Sequence, residues 1–98
     1  MSRLREFWEA GHADAQGPLR DWFRTAGKAA WGSLDDIRRV YPHADAVKVS
    51  SGRSVVVFNI GGNKYRLIVD VLYPVQVAYI CTVLTHAEYD KDRWKKEL

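Results

Sequence analysis

The stretch Thr85–Lys91, THAEYDK, carries the side chains best suited to proton transfer. His86 and Asp90 are four residues apart, so on a helix they share one face, with Tyr89 beside them. An imidazole with a pKa of about 6.5 gains or loses a proton near neutral pH, and a carboxylate one turn away can orient it or keep it charged. Surface residues at a helix start have the same spacing. The residue types and spacing alone are therefore compatible with acid–base chemistry and with ordinary solvent-exposed residues.

A second set of polar side chains surrounds Gly61-Gly62, which separates two runs rich in β-branched and aromatic residues. Glycine supplies the positive φ that tight hairpin turns require, so the pattern predicts a β-hairpin over Val55–Asp70. A loop of those two glycines sets a register in which one face of the hairpin is mostly apolar. The members of that face are Val56, Phe58, Ile60, Tyr65 and Leu67.

The opposite face of the predicted hairpin is polar near the turn. In this register Asn59 faces Lys64 and Val57 faces Arg66, which places an amide and two cations on one side of the sheet. Such a face is either simply solvated or a rigid platform that offers cations to a phosphate.

The residues after the second motif combine basic and aromatic side chains. Lys91, Arg93 and Lys95 surround Trp94. This combination suits stacking on a base and steering a nucleic-acid backbone, although the same segment is equally compatible with a frayed terminus.

The elements that must position these residues follow from hydrophobic spacing. Apolar residues at helical intervals predict helices over Ser2–Ala10 and from about Asp14 to Gly27, and Ser33 is a helix N-cap for a third that ends at Tyr41-Pro42. Four strands are then predicted, namely Ala46–Val49, the two arms of the hairpin, and Val75–Leu84. The order predicts one α+β domain over residues 1–98, with N-terminal helices packed on an antiparallel sheet and a short C-terminal helix.

That C-terminal helix has its own start signal. Thr85 is followed three residues later by Glu88, which is the pattern of a capping box, and Leu84 and Tyr89 occupy the two positions of a hydrophobic staple.

Charge and composition limit the partners of the chain. Its net charge of +3 and pI of 9.2 permit nucleic-acid binding without requiring it. On the second helix, Arg20, Arg24 and Lys28 form either a solvated face or an extension of a basic footprint. Cys81 is the only cysteine, no apolar run suits a membrane span or a signal peptide, and the scattered histidines lack metal-ligand spacing. We therefore expect a reduced, soluble, cytoplasmic protein without a metal or cofactor and with no membrane partner.

Four segments together resemble the HigB-type toxins of bacterial type II toxin–antitoxin pairs, in the RelE superfamily. They are LREFWE at 4–9, LRDWF at 19–23, VFNIGGNKYRLIV at 57–69 and THAEYDK at 85–91. The resemblance covers about residues 3–91 and implies a microbial-ribonuclease-like fold. It also implies a metal-independent endoribonuclease that cuts mRNA, generally on translating ribosomes, and so inhibits translation. The implied partner is a cognate helix-turn-helix antitoxin, with DNA contacted only through that antitoxin.

The resemblance also implies roles for individual residues. Lys64 and Arg66 would clamp the phosphate, His86 would be general base or acid, Tyr89 would transfer a proton or stack on a base, and Asp90 would orient or charge His86. Asn59, Lys91, Arg93 and Lys95 would contact the RNA.

The sequence departs from the family pattern at two points, of which the first concerns the sheet edge and the second favours an alternative function. Family members usually begin with a short edge strand, whereas Leu4 here already belongs to a helical pattern. The strand before THAEYD often carries an arginine where this chain has Cys81, and a two-residue turn at Tyr73-Pro74 would set that position opposite Arg66. The alternative is a catalytically degenerate homologue that binds RNA and antitoxin without cutting.

Overall fold

Three helices precede the sheet in the computed structural model, which describes residues 2–98. They are α1 (Ser2–Glu9), α2 (Gln16–Lys28) and α3 (Leu34–Val40). A 3₁₀ turn at Ala13–Ala15 lies between α1 and α2, so the second helix begins two residues later than predicted. Helix α3 begins where the sequence indicates, since the Ser33 hydroxyl accepts the Asp36 N–H at 3.4 Å. No helix in residues 2–98 has the length and apolar character needed to cross a bilayer.

Four antiparallel strands follow in a simple meander, β1 (Asp45–Lys48), β2 (Ser54–Ile60), β3 (Tyr65–Leu72) and β4 (Val77–Thr85). Strand β4 begins two residues later than predicted because Tyr73–Val75 forms a 3₁₀ turn and Gln76 then adopts a φ of 56°. The chain thus has the predicted α+β fold, with N-terminal helices packed on an antiparallel sheet and a short helix after β4.

The hairpin turn is longer than the two glycines indicate. Ile60 pairs with Tyr65 and Asn59 with Arg66, so the predicted register, with Asn59 facing Lys64 and Val57 facing Arg66, is wrong by two residues. Asn63 and Lys64 belong to the turn, and both Gly61 and Gly62 have positive φ as expected. A shift of two residues leaves every side chain on its predicted face except that of Lys64, which leaves the strand altogether.

The first hydrophobic core lies between the three N-terminal helices and one face of the sheet, and we call it the helix-side core. Its strand members include all five residues of the predicted apolar face, which are at most 8% exposed. Helices contribute Leu4, Trp8, Leu19, Trp22 and Ile37. Burial of these rings and aliphatic chains is the main source of stability for so short a chain.

The second core lies on the opposite face of the sheet, and we call it the tail-side core. It contains Val49, Val55, Val57, Ile68 and Trp94, and the chain after β4 covers it with α4 (His86–Asp90) and α5 (Trp94–Glu97). Trp94 is only 4% exposed and the Ser50 N–H donates to the Lys95 carbonyl at 3.0 Å. The tail is therefore docked, and both sequence-based interpretations of it, a frayed end and a base-stacking Trp94, are wrong.

Cys81 does not lie opposite Arg66. Leu84 pairs with Arg66, and the ladder is irregular at Ile68/Val69, which pair with Thr82 and Ile80 on either side of Cys81. The 3₁₀ turn before β4 lengthens the connection and so moves the register. Cys81 packs against the tail-side core, and burial raises the pKa of its thiol, so the thiol stays protonated at neutral pH.

Candidate active site

The two polar motifs meet at one end of the sheet. The His86 N–H donates to the Lys64 carbonyl at 3.0 Å, which joins the start of α4 to the β2–β3 turn. The predicted capping box is formed, with the Glu88 N–H on the Thr85 hydroxyl at 3.2 Å and the Thr85 N–H on the Glu88 carboxylate at 3.0 Å. Residues about 20 positions apart in sequence are thereby held at the same edge.

Arg66 is the buried charged side chain of the described chain, at 9% exposure. One terminal nitrogen donates to the carbonyls of Asn63 and Tyr65 at 3.1 and 3.2 Å, and the other to the Asn63 amide oxygen at 3.3 Å. None of the salt bridges in residues 2–98 includes this guanidinium. The charge of a buried cation whose partners are all neutral is not compensated, so the cation can still bind an anion.

Tyr89 lies against this cation. The Arg66 guanidinium carbon is 5.5 Å from the Tyr89 ring centroid, and the Tyr89 ring also stacks on the Trp94 ring at a centroid distance of 5.3 Å. The Trp94 indole donates to the Tyr89 carbonyl at 3.1 Å. Burial raises the pKa of Tyr89, so its phenol stays protonated and can donate a hydrogen bond or a proton.

His86 and Asp90 form the predicted pair on one helix face. The Nδ1 atom of His86 is 2.9 Å from an Asp90 carboxylate oxygen, and both side chains are about half exposed. A carboxylate at Nδ1 favours the tautomer that leaves Nε2 as the acceptor, which is the arrangement of an oriented general base.

Lys64 is not placed beside Arg66. Its ammonium lies 2.6 Å from the Asp14 carboxylate, which also accepts the Tyr65 hydroxyl at 2.5 Å. The hydrogen bonds from Lys64 and Tyr65 hold the pKa of Asp14 below its usual value, and the bond to Asp14 raises the pKa of Lys64 and of Tyr65. The predicted face of Asn59, Lys64 and Arg66 is therefore wrong for Lys64, because the longer turn directs it toward the helical layer.

Three of the remaining predicted residues line two clefts, and the fourth, Lys95, lies beside the Trp94 ring. Asn59 pairs with Arg66 across the sheet and lines a cleft of about 480 Å³ together with His43, Gly62 and Asn63. Lys91 and Arg93 border a separate cleft of about 230 Å³ beside Trp94 that also contains carboxylates of Glu88 and Glu97. Lys95 lies 5.7 Å from the Trp94 ring and is tied to Asp92 at 3.2 Å.

Sequence reasoning missed two contributors to this region, Asp14 and His43. Asp14 is 50 residues from Lys64, and no local spacing signals their contact. His43 lies before β1 without a motif around it.

The arrangement combines a buried guanidinium, a protonated phenol and an oriented imidazole at one edge of the sheet. These groups supply anion stabilisation and proton transfer, which are the requirements of phosphodiester cleavage without a metal. Within residues 2–98, no three His, Cys, Asp or Glu side chains converge as metal ligands.

Comparison with known proteins gives the same family as the sequence motifs. A family model described as HigB toxin, RelE-like toxic component of a toxin-antitoxin system, matches residues 15–92. Relatives include the mRNA interferase toxin HigB of Escherichia coli K12 and the mRNA interferase HigB proteins of Escherichia coli O157:H7 and Shigella flexneri. Each is 35% identical over 66 residues, which are 67% of this chain and 62% of the relative, less than two thirds of its length. The chain belongs to the RelE-like HigB toxins.

Proposed function

We propose that this protein is the toxin of a type II toxin–antitoxin pair and that it cleaves mRNA without a metal, on the translating ribosome. Family membership supports this proposal, as does the name mRNA interferase of the relatives. The observation that carries it is Arg66, a buried cation with neutral partners at the edge where the two motifs meet. Its substrate places the protein in the cytoplasm, and a cognate helix-turn-helix antitoxin holds it inactive and makes the only contact with DNA.

The proposed reaction is attack of a ribose 2′-oxygen on the adjacent phosphorus. A base removes the 2′-OH proton, the P–O5′ bond breaks, and an acid protonates the departing 5′-oxygen, which leaves a cyclic phosphate and a 5′-OH. Arg66 stabilises the charge that develops on the phosphate oxygens. His86, oriented by Asp90, removes the first proton, and the Tyr89 phenol serves as the acid or stacks on a base.

The remaining predicted residues have positioning roles in this proposal. Asn59 contacts the RNA from the cleft beside the turn, and Lys91, Arg93 and Lys95 steer its backbone past the tail. Lys64 contributes to the phosphate clamp only when RNA displaces it from Asp14, because the ion pair at 2.6 Å occupies its ammonium.

One observation favours the alternative, a degenerate homologue that binds RNA and antitoxin without cutting. Lys64, one of the two proposed clamp cations, is neutralised by Asp14. The other argument for degeneracy fails, because position 81 does not face Arg66.

Expression in bacteria with mapping of mRNA 5′ ends distinguishes the two functions. We expect growth arrest and new 5′ ends for the wild type, and loss of both for Arg66→Ala and His86→Ala at equal levels of folded protein. Arg39→Ala is the matched control, since this arginine is exposed on α3 and far from the site in sequence. Unchanged growth and unchanged 5′ ends with the wild type would favour the degenerate module.

A further inference from the structure

Lys64 belongs to the candidate active site through its backbone. Its carbonyl accepts the His86 N–H at 3.0 Å, at the start of α4. The preceding residue, Asn63, accepts both terminal nitrogens of the Arg66 guanidinium, one on its carbonyl at 3.1 Å and the other on its amide oxygen at 3.3 Å. The Lys64 backbone therefore joins the turn that holds the guanidinium to the helix that carries His86.

The Lys64 side chain leaves that site and points toward the connection between α1 and α2. Its ammonium lies 2.6 Å from one Asp14 carboxylate oxygen, and the Tyr65 hydroxyl donates to the other at 2.5 Å. Tyr65 is only 8% exposed, and its ring makes edge contacts with the rings of Phe7 and His12 at centroid distances of 5.2 and 5.5 Å. Asp14 is thus a carboxylate held in place beside the turn, where it binds a cation whose backbone belongs to the site.

A competing anion can break this ion pair. The Lys64 and Asp14 side chains are 66% and 48% exposed, so water already weakens the attraction between them. The ammonium is a point charge on a flexible stem, and rotation of that stem moves the charge without moving the backbone of the turn. A phosphate of RNA carries the same charge as the carboxylate and offers the ammonium an equivalent charge-assisted hydrogen bond. The exchange of carboxylate for phosphate therefore has a small net cost.

The two cations of the proposed phosphate clamp differ in this respect. Arg66 takes part in no salt bridge within residues 2–98, whereas Lys64 has a counter-ion. We propose that Asp14 limits the affinity of the protein for RNA by holding Lys64 outside the clamp until a phosphate displaces the carboxylate. This inference rests on the proposed function, because the competing phosphate belongs to the proposed substrate. Asp14 is a positioning residue, since it acts through Lys64 and does not contact the RNA.

Asp14→Asn and Asp21→Asn form a matched pair of variants. Each removes one negative charge with a minimal change of shape, and each residue is ion-paired, Asp14 with Lys64 and Asp21 with Arg24 at 3.4 Å. Asp21→Asn therefore controls for the general effect of a more positive protein. Affinity is measured by fluorescence anisotropy with a short single-stranded RNA whose 2′-hydroxyls are methylated, so that it cannot be cleaved. We expect Asp14→Asn to bind this RNA about two- to fivefold more tightly than Asp21→Asn, the range that an exposed ion pair permits.

Removal of Lys64 tests whether Asp14 acts through it. In the Lys64→Ala background we expect Asp14→Asn and Asp21→Asn to bind the RNA equally, because no ammonium remains to be released. Salt dependence gives a second readout, since each contact to a phosphate of a single strand adds about 0.7 to the slope of log affinity against log salt concentration. We expect the slope for Asp14→Asn to be steeper by that amount than the slope for Asp14→Asn/Lys64→Ala.

Carboxyl NMR of the wild-type protein observes the exchange without any substitution at Asp14. The hydrogen bond from Lys64 holds the pKa of Asp14 below its usual value. RNA that takes the ammonium removes this bond, so we expect the pKa of Asp14 to rise when the methylated RNA is added. In Lys64→Ala the bond is already absent, and we expect RNA to leave the pKa of Asp14 unchanged.

Three results would overturn the inference. They are tighter binding by Asp14→Asn of the same size with and without Lys64, affinity of folded Asp14→Asn at or below that of Asp21→Asn, and a wild-type Asp14 pKa that RNA does not change. Failure of the wild type to bind the RNA would overturn it as well. Because this RNA cannot be cleaved, none of the measurements depends on catalysis, so a failed ribonuclease and a failed restraint by Asp14 are distinguishable.

Discussion

The positive charge of the nearly buried Arg66 side chain is not compensated by a carboxylate, because its donors contact two carbonyls and an amide. The planar guanidinium also lies over the Tyr89 ring, a geometry that an ammonium reproduces poorly. We therefore expect Arg66→Lys to keep the fold and to reduce RNA cleavage about tenfold or more. Single-turnover cleavage and circular dichroism of the same sample measure both quantities. Wild-type cleavage by the folded lysine variant would show that only charge matters.

The Asp14–Lys64 pair predicts a pH dependence of stability. Asp14 has a lowered pKa in the folded state, so its contribution is complete above the unfolded value of about 4 and is lost as the pH falls through the lower folded pKa. Lys64 has a raised pKa, so its contribution is complete below about 10.4 and is lost as the pH rises through the higher folded pKa. The pair thus stabilises the fold between these limits.

Asp14→Asn tests this window. We expect the variant to unfold at lower urea concentration than the wild type at pH 7, and the difference to shrink as the pH is lowered to about 2, because protonation of the wild-type carboxylate removes its charge. Urea titrations at both pH values measure it. A difference of equal size at both pH values would contradict an ionic contribution.

Among individual residues, side-chain pairs close in sequence were predictable and pairs distant in sequence were not. His86 and Asp90 were predicted to share a face because a helix fixes the relation of residues four apart. The partner of Lys64 depends on how the α1–α2 connection packs against the hairpin turn, and no local pattern encodes that contact.

Helix α4 has only five residues, so its end signals carry much of its stability. Thr85→Ala removes a formed capping box and is expected to lower the free energy of unfolding by about 1 kcal/mol. Because α4 carries His86 and Asp90, we also expect slower RNA cleavage. Ser33→Ala is the control, since it removes the equivalent cap of α3. Urea unfolding and cleavage assays on both variants test this, and equal cleavage by the two would argue against a positioning role for the Thr85 cap.

The tail is stabilised by the burial of Trp94. Trp94→Ala leaves a cavity in the tail-side core and is expected to cost about 3 kcal/mol. The exposed Lys96 of the same helix provides the control, because Lys96→Ala should change stability by less than about 0.5 kcal/mol. Chemical denaturation measures both, and a neutral Trp94→Ala would mean that α5 is not docked in solution.

At the scale of helices and strands, hydrophobic periodicity predicted the type of each element and its buried face better than it predicted the pairing register of the strands. The apolar face of the hairpin was predicted because a shift of two residues preserves strand alternation. The length of the turn was not predicted, because Gly61-Gly62 favours positive φ but does not determine at which residues the pairing of β2 with β3 begins. The predicted position of Cys81 opposite Arg66 was wrong for a related reason, because the turn before β4 contains a 3₁₀ segment and is longer than two residues. Helix α5 was missed because basic residues surround its single buried ring.

The whole molecule is a sheet with a core on each face. The candidate active site lies where the tail-side core meets the β2–β3 turn. The order of helices and strands sufficed to predict the helix-side core, because amphipathic elements have few ways to bury their apolar faces. The tail-side core was not predicted, since no pattern in the sequence shows that Trp94 is buried against the sheet. That β4 is an edge strand follows from the order of the strands in the sheet, which only the structure supplies.

The most direct test of the central claim is cleavage of a defined mRNA by the purified chain in a reconstituted translation reaction. The account predicts cuts within the reading frame by the wild type and by Arg39→Ala, and a rate at least about a hundredfold lower for folded Arg66→Ala. An intact message with the wild type, or cleavage by Arg66→Ala at the wild-type rate, would contradict it.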